Sequence, residues 1–117
     1  MVRKDAEMKL PEDAIIAPEK MYQYLLVPQA RGDKSAFLAK AGYHQAAYTE
    51  LSRDIRSQLL PLDAVLIDTN EFGEYFEIRG TLTGPNGIVL WVRSVWMKEH
   101  LSGRTKFITL MPEKRRY

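Results

Sequence analysis

The feature that most constrains the fold of this chain is a change in the spacing of its apolar residues near Pro61. Before this proline, apolar residues recur at the three- and four-residue intervals of a helix, whereas after it they alternate in β-branched and aromatic runs. A chain whose helices all precede its strands cannot build the repeating strand–helix units of a parallel sheet. This order predicts an α+β fold, with about three N-terminal helices packed on a four-stranded, mostly antiparallel sheet.

Three helices are predicted from their ends and their apolar stripes. The first begins at Pro18, and Pro28 ends it. Asp33 is expected to cap the second helix, and Gly42 to end it. The third helix ends before Pro61 and is predicted from the helical spacing of Ala47, Tyr48, Leu51, Ile55 and Leu59.

Four strands are predicted after Pro61, near residues 62–68, 74–83, 88–98 and 105–111. The dipeptide Asn86-Gly87 lies between two alternating runs and predicts a tight hairpin, because both residues accept a positive φ. The third run is apolar on both faces except at Arg93 and Ser94, which is typical of a central strand.

The composition narrows the classes of function. The 117 residues include no cysteine, which excludes a disulfide framework, a thiolate metal site and a cysteine nucleophile. No apolar run approaches the roughly 20 residues of a membrane helix, so we expect a cytoplasmic protein without a membrane partner. No phosphate-binding glycine loop or zinc motif occurs, and no cofactor or metal is expected. We predict a single domain over residues 1–117, with flexible ends at 1–9 and 113–117.

Charge is unevenly distributed over the second half of the chain, although the net charge is only +2. Acidic residues dominate the segment 61–80, and basic residues dominate the segment 91–117. One end of the sheet can therefore meet a polyanion such as RNA, whereas another cannot.

Two cationic side chains most need a partner. Lys34 follows the cap of the second helix, where the helix dipole disfavours a cation, so it is either solvated or directed across to the sheet to bind an anion. Arg93 lies in the middle of an apolar strand, where an unpaired charge is costly. It either pairs with an acid on the neighbouring strand, such as Glu77, or projects with Arg79 into a shared site where its fork binds phosphate.

Aromatic and polar residues of the sheet are candidates for substrate binding. Trp91 and Trp96 point to opposite faces, so one is expected in the core, while the other joins Tyr75 in stacking on a base. The alternative is that packing buries both tryptophans. Lys106 and Thr109 lie on the last strand, where an inward-facing hydroxyl must find a hydrogen-bond partner.

The chain has two histidines, His44 and His100, and no carboxylate cluster beside them predicts a metal site. They form an acid–base pair only if the fold brings them together, and otherwise each is an ordinary surface residue. We retain His44 as the reserve acid–base candidate.

Short motifs near both ends of the chain carry a family resemblance. They are Leu10-Pro11, Ala14-Ile15, Lys20, Tyr24-Leu25-Leu26, Lys34, Phe37 and Gly42-Tyr43 near the start, and Ser94-Val95-Trp96 and Phe107-Ile108-Thr109 ahead of Pro112 near the end. These motifs resemble a bacterial family catalogued only as a domain of unknown function. The resemblance spans about residues 10–112 and implies a small stand-alone protein or the C-terminal module of a bacterial toxin.

The order of helices followed by an antiparallel four-stranded sheet is also similar to the barnase–EndoU–colicin–RelE group of ribonuclease toxins. That resemblance implies catalysis by a lysine on a helix together with arginine and hydroxyl residues on the strands. The corresponding residues of this chain are Lys34, Arg93 and Thr109. This correspondence of residues rests on an analogy between folds.

Our first hypothesis is therefore a toxin-type, metal-independent endoribonuclease that cleaves RNA by attack of the ribose 2′-OH on the adjacent phosphate. Lys34 and Arg93 stabilise the charge on the phosphorane, Arg79 positions the substrate, and Thr109 or Tyr75 orients it. The substrate-binding residues in this hypothesis are Tyr75, Trp96 and Lys106. Its expected partners are RNA and a cognate antitoxin or immunity protein.

A second hypothesis belongs to a different class: a non-catalytic protein-binding module, such as the antitoxin or immunity partner of a toxin. The acidic segment 68–77 would form its working surface. A structural module within a larger assembly is the third. Geometry separates them, because a nuclease needs Lys34, Arg79 and Arg93 in one cleft, whereas a partner module needs a flat patch.

Overall fold

The chain folds as short helices followed by a meander of four antiparallel strands. The structure is a computed structural model, and it describes residues 8–31 and 33–113. The strands are β1 (Val65–Thr69), β2 (Gly73–Thr83), β3 (Val89–Glu99) and β4 (Thr105–Pro112). They lie in the sheet in chain order, and each pairs antiparallel with the next. The predicted α+β class and four-stranded antiparallel sheet are confirmed.

Three helical segments precede the sheet. They are α1 (Pro18–Lys20) with the π-helical turn Met21–Leu25, α2 (Ser35–Ala39), and α3 (Tyr48–Asp54), which begins with the 3₁₀ turn Gln45–Ala47 and ends with the π-helical turn Ile55–Leu59. The two π-helical turns are closed by i→i+5 hydrogen bonds, from Leu26 N to Met21 O at 2.9 Å and from Leu60 N to Ile55 O at 3.0 Å. Both helices therefore widen at their C-terminal ends.

The structure agrees with the predicted helix ends at Pro18 and Gly42 but shifts the start of α2. Pro18 occupies the first helical position of α1. The N-cap position of α2 is Lys34 rather than Asp33, and Asp33 Oδ1 accepts the backbone N–H of Ser35 at 2.8 Å from one residue further back. Gly42 ends α2 with φ of 94°, a conformation that favours glycine, and Tyr43 N donates to Leu38 O at 3.3 Å. These contacts orient the loop that carries Lys34.

Burial alternates along the central strands. Phe76, Ile78 and Leu82 of β2, like Val92 and Trp96 of β3, are buried. They share one hydrophobic core with the apolar residues of the helical segments, including Met21, Leu25, Leu38, Leu51, Ile55 and Leu59. The intervening residues of β2 and β3, among them Glu77, Arg79 and Arg93, therefore lie on the opposite face, which we call the outer face of the sheet.

The two ends that were predicted to be flexible contain residues that contact the sheet. Met8 O accepts the backbone N–H of Ala64 at 2.8 Å, and Lys9 Nζ lies 2.8 Å from Asp63 Oδ1. At the other end, Glu113 N donates to Trp91 O at 2.9 Å. Residues 1–7 and the basic run Lys114, Arg115 and Arg116 lie outside the described residues. No helix in the described part of the chain is long and apolar enough to cross a membrane.

Tyr43 joins α2 to α3 through a buried hydroxyl. Its O–H donates to Asp54 Oδ2 at 2.6 Å, and burial together with Asp54 raises the pKa of Tyr43. We expect Tyr43→Phe to lower the free energy of unfolding by about 1–3 kcal/mol, because it removes the donor to a part-buried carboxylate. Urea denaturation measures the change, with Tyr48→Phe as the control that should stay within about 0.5 kcal/mol. Equal losses in the two variants would contradict the argument.

Candidate functional site

The candidate site is built around the hydroxyl of Tyr24. Tyr24 lies in the π-helical turn that follows α1, and Lys34 immediately precedes α2. Lys34 Nζ donates to Tyr24 Oη at 2.8 Å and lies 5.0 Å from the centroid of the Tyr24 ring. Both side chains are partly buried, so this ammonium–phenol contact is shielded from bulk water on one side. Lys34 thus contacts a phenol of the first helical segment, which differs from both predicted alternatives, full solvation and an anion at the sheet.

Thr109 of β4 lies beside Tyr24, and its own hydroxyl donates to Leu110 O at 3.4 Å. The hydrogen bond from Lys34 lowers the pKa of Tyr24 most, and the polar side chain of Thr109 acts in the same direction. The positive charges of Lys34 and Lys20 also lower the pKa of Tyr24, while burial opposes them. A phenol held in this way is a stronger acid than a free tyrosine.

A groove opens beside this hydroxyl. Its volume is about 500 Å³, and it runs between the first helical segment on one side and Ile108 and Thr109 of β4 on the other. Lys20 and Glu19 of α1 line it along with Tyr24. Lys20 lies one helical turn before Tyr24, so both side chains are on the same side of that helix. The groove therefore offers a phenolic acid and an ammonium group to a ligand.

Arg79 and Arg93 lie on the outer face of the sheet and are both bound to Glu77. Glu77 Oε2 accepts Arg79 Nε at 3.0 Å and Arg93 Nη1 at 3.2 Å, and Arg79 Nη1 also lies 3.1 Å from Glu113 Oε2. The Glu77 side chain is 10% exposed and that of Arg93 is 37% exposed. The pairing of Arg93 with Glu77 is confirmed, and two carboxylates balance the two guanidinium groups.

Arg93 is nevertheless close to the site in the register of the sheet. Thr109 pairs with Val95, and Met111 pairs with Arg93. Thr109 and Arg93 are therefore diagonal neighbours on the outer face, with backbones separated by about 7–8 Å. Arg93 Nη2 contacts Met111 Sδ at 2.8 Å, and Arg93 does not line the groove beside Tyr24.

The other predicted site residues are dispersed. His44 is exposed at the start of the 3₁₀ turn, and His100 lies in the turn after β3, where its Nδ1 is 3.3 Å from Glu71 O. Lys106 Nζ is 2.7 Å from Glu99 Oε2. Tyr75 lies beside Phe72 and Met97 at the far end of the sheet. The two histidines are thus on different elements, and neither is near Lys34 in any contact of the described residues.

Trp96 is the core tryptophan of the pair. It has no exposed surface, its ring packs edge-on against Phe107 at 5.2 Å, and its Nε1 donates to Ser94 Oγ at 2.9 Å. A base has no face of Trp96 on which to stack, and burial removes it from the candidate substrate-binding residues. Among the described residues, no group of three or more His, Cys, Asp and Glu side chains could hold a metal ion.

Tyr24 is the functional candidate that the sequence did not indicate. In the sequence Tyr24 belongs to the apolar stripe of the first helix, so it was interpreted as a residue that packs in the core. The signal that could have identified it is the pair Lys20 and Tyr24 at a spacing of four, which places an ammonium group beside a phenol on one helical side.

Comparison with known proteins identifies a family but no closer relative. A family model described as a domain of unknown function, DUF6883, matches residues 8–114. No curated protein and no solved structure matches the chain. The resemblance to a family of unknown function that the motifs indicated is confirmed over nearly the whole chain.

Proposed function

We propose that this chain, which belongs to the DUF6883 family, is a toxin-type, metal-independent endoribonuclease with its site at Tyr24. The observation that carries the proposal is the 2.8 Å hydrogen bond from the Lys34 ammonium to the Tyr24 hydroxyl, beside an open groove. The sequence indicates a lysine that can stabilise negative charge on the phosphorane, but no strong general acid or base. Tyr24 supplies the missing acid, and it does so within contact of Lys34 and Thr109.

The proposed reaction is an internal transfer of the phosphoryl group. The ribose 2′-oxygen loses its proton to solvent and attacks phosphorus, so the O2′–P bond forms while the P–O5′ bond breaks. Tyr24 donates its proton to the departing 5′-oxygen and becomes a phenolate, which Lys34 stabilises through the existing hydrogen bond. The products are a 2′,3′-cyclic phosphate and a 5′-hydroxyl, and a proton from water restores Tyr24.

The groove supplies one ammonium group to this transition state. Negative charge accumulates on the nonbridging oxygens of the phosphorane, and Lys20 lines the groove where it can offset that charge, although the carboxylate of Glu19 lines the groove as well. The sequence hypothesis required Lys34, Arg79 and Arg93 in one cleft, but Arg79 and Arg93 are paired with Glu77 and Glu113 on the outer face of the sheet. The proposal therefore rests on Tyr24, Lys34 and Lys20 and gives the two arginines no catalytic role.

The direct test uses Tyr24→Phe, which keeps the ring and removes only the hydroxyl. With an unstructured oligoribonucleotide in excess EDTA, we expect cleavage to fall by about 10²- to 10⁴-fold, since the general acid is lost. The wild-type pH profile should fall on its alkaline side at a lower pH than the titration of an ordinary tyrosine, because the pKa of Tyr24 is lowered, chiefly by the hydrogen bond from Lys34. Tyr24→Phe should lack that alkaline limb.

Two controls accompany this test. Tyr22→Phe changes the same residue type in the same helical turn, where the ring packs on Tyr48 at 4.9 Å, and it should leave cleavage within about twofold. An oligonucleotide with a 2′-O-methyl group at every position should resist cleavage completely. Wild-type protein that is folded yet leaves RNA intact, or Tyr24→Phe with full activity and an unchanged pH profile, would overturn the proposal.

A second candidate function is a non-catalytic protein-binding module, such as the antitoxin or immunity partner of a toxin. The observation that favours it is the end of the sheet opposite Tyr24, where Asp68, Glu71 and Glu74 form no ion pair among the described residues. A folded chain without ribonuclease activity would make this the preferred function.

A further inference from the structure

We propose that a pocket between two turns at one end of the sheet binds an arginine- or lysine-containing segment of a protein partner. The pocket, which we call the turn pocket, has a volume of about 650 Å³ and is lined by Glu71, Phe72, Tyr75, Met97, Glu99 and Leu101. It lies between the β1–β2 turn and the β3–β4 turn. The inference does not depend on the ribonuclease proposal, because it uses none of the residues around Tyr24, but it does deepen the second candidate function, whose acidic surface includes Glu71.

The first observation is apolar exposure in places where turns are normally polar. Phe72 is 63% exposed at the β1–β2 turn, and Leu101 is fully exposed at the β3–β4 turn. Met97 forms the buried floor between them, opposite its register partner Tyr75. Grouped aromatic and aliphatic side chains that are left in water mark a surface that gains free energy when another molecule covers it.

The second observation is that the two turns are held together by main-chain hydrogen bonds. His100 N donates to Phe72 O at 3.0 Å, and Asn70 Oδ1 accepts the backbone N–H of Phe72 at 2.9 Å. Gly73 approaches β3 so closely that a Cβ there would lie 2.3 Å from Lys98 O. The exposed side chains therefore sit on a fixed frame, so little conformational entropy is lost when a partner binds.

The third observation is the sign of the charge. Glu99 is bound by Lys106 and by Ser102, whereas Glu71 forms no ion pair among the described residues. A carboxylate beside two aromatic rings suits a guanidinium or ammonium group, which can pair with the acid and lie against a ring face. A nucleic acid would be repelled, and a second copy of this chain would bring the same negative charge.

The adjacent edge of the sheet defines the shape of the partner. β1 is an edge strand that pairs with β2, and Met8 forms an antiparallel bridge with Ala64 just before its first residue. All five residues of β1 itself are exposed. Val65, Leu66 and Ile67 are each nearly half exposed there, and Asp68 pairs in register with Tyr75 of the turn pocket. An extended segment can lie along this edge with apolar side chains and place a basic side chain in the pocket.

The test is an NMR titration of the isotopically labelled chain with two short peptides. One is acetyl-Ser-Leu-Arg-Leu-Ser-amide, and the other has glutamate in place of arginine. We expect the arginine peptide to cause saturable shifts in the amides of residues 70–75 and 97–103, while the glutamate peptide leaves them unchanged. Glu71→Lys should weaken binding of the arginine peptide by at least about tenfold, because like charges then meet in the pocket.

Glu12→Lys is the matched control, since it changes the net charge equally at an exposed position outside the pocket and should weaken binding by less than about threefold. Equal losses in the two variants, equal shifts by the two peptides, or shifts spread over the whole surface would overturn the proposal. So would concentration-dependent shifts of these amides without peptide, which would identify a second copy as the occupant. Shifts of the same amides by an oligoribonucleotide would overturn it as well.

Discussion

Replacing Lys34 by alanine is expected to lower RNA cleavage by about 10²- to 10³-fold while the fold remains intact. The side chain donates to Tyr24 Oη at 2.8 Å, and its hydrogen bond is the largest cause of the lowered pKa of Tyr24. Without it, the phenolate that forms when the 5′-oxygen is protonated loses its charge partner. The alkaline limb of the pH profile should also move to higher pH, because the pKa of Tyr24 then returns towards its usual value.

Lys40→Ala is the matched control for this experiment. Lys40 lies at the other end of α2 and is exposed, so its removal changes the net charge equally without touching Tyr24. In cells induced to make the chain, the proposal predicts growth arrest with fragmented RNA for the wild type and for Lys40→Ala, and normal growth for Lys34→Ala. An active Lys34→Ala variant with an unshifted pH profile would contradict the role given to Lys34.

Replacing Trp96 by alanine is expected to cost about 3–5 kcal/mol of the free energy of unfolding. The indole is fully buried, packs edge-on against Phe107, and donates to Ser94 Oγ, which itself donates to Ile78 O at 3.0 Å. Truncation would open a large cavity and leave the Ser94 oxygen without one of its donors. The free energy of unfolding of a small domain is only about 5–15 kcal/mol, so the Trp96→Ala variant should be only marginally stable at 25 °C.

Trp91→Ala provides the internal comparison on the same strand. Trp91 lies on the outer face and is 42% exposed, so the same truncation should cost less than half as much. Urea denaturation of the two variants at 25 °C, with a shared slope, measures the difference. Equal midpoints would show that the assignment of the two faces of β3 is wrong.

β2 was predictable because its alternate residues lie on two faces of the sheet that differ strongly in polarity. Alternation of Phe76 and Ile78 with Glu77 and Arg79 locates β2 to within a residue, and the Asn-Gly turn defines its partner. The π-helical turns at residues 21–25 and 55–59 were not predicted. Their apolar residues keep helical spacing in the sequence, so the local pattern does not distinguish an i→i+5 turn from an α-helical one.

The site was only partly predictable, because its contacts depend on the tertiary fold. The cost of an unpaired charge offered pairing with Glu77 as one of two alternatives for Arg93, and the structure has this pair. The phenol partner of Lys34 was not predicted, because the alternatives for Lys34 were solvent or an anion at the sheet. The proximity of Tyr24 to Thr109 could not be inferred, because the local sequence around each residue does not indicate which distant segment it will contact. Arg79 was expected to share a site with Lys34, and the structure instead places it with Glu77 and Glu113.

The position of Thr109 on the last strand has a consequence for the biosynthesis of the protein. Tyr24 and Lys34 precede the sheet in the chain, and β4, the strand that lies beside Tyr24, is made after the other three strands. A nascent chain that still lacks β4 therefore carries an incomplete candidate site. If the chain cleaves RNA at this site, its activity would begin only after β4 has been made and has paired with β3.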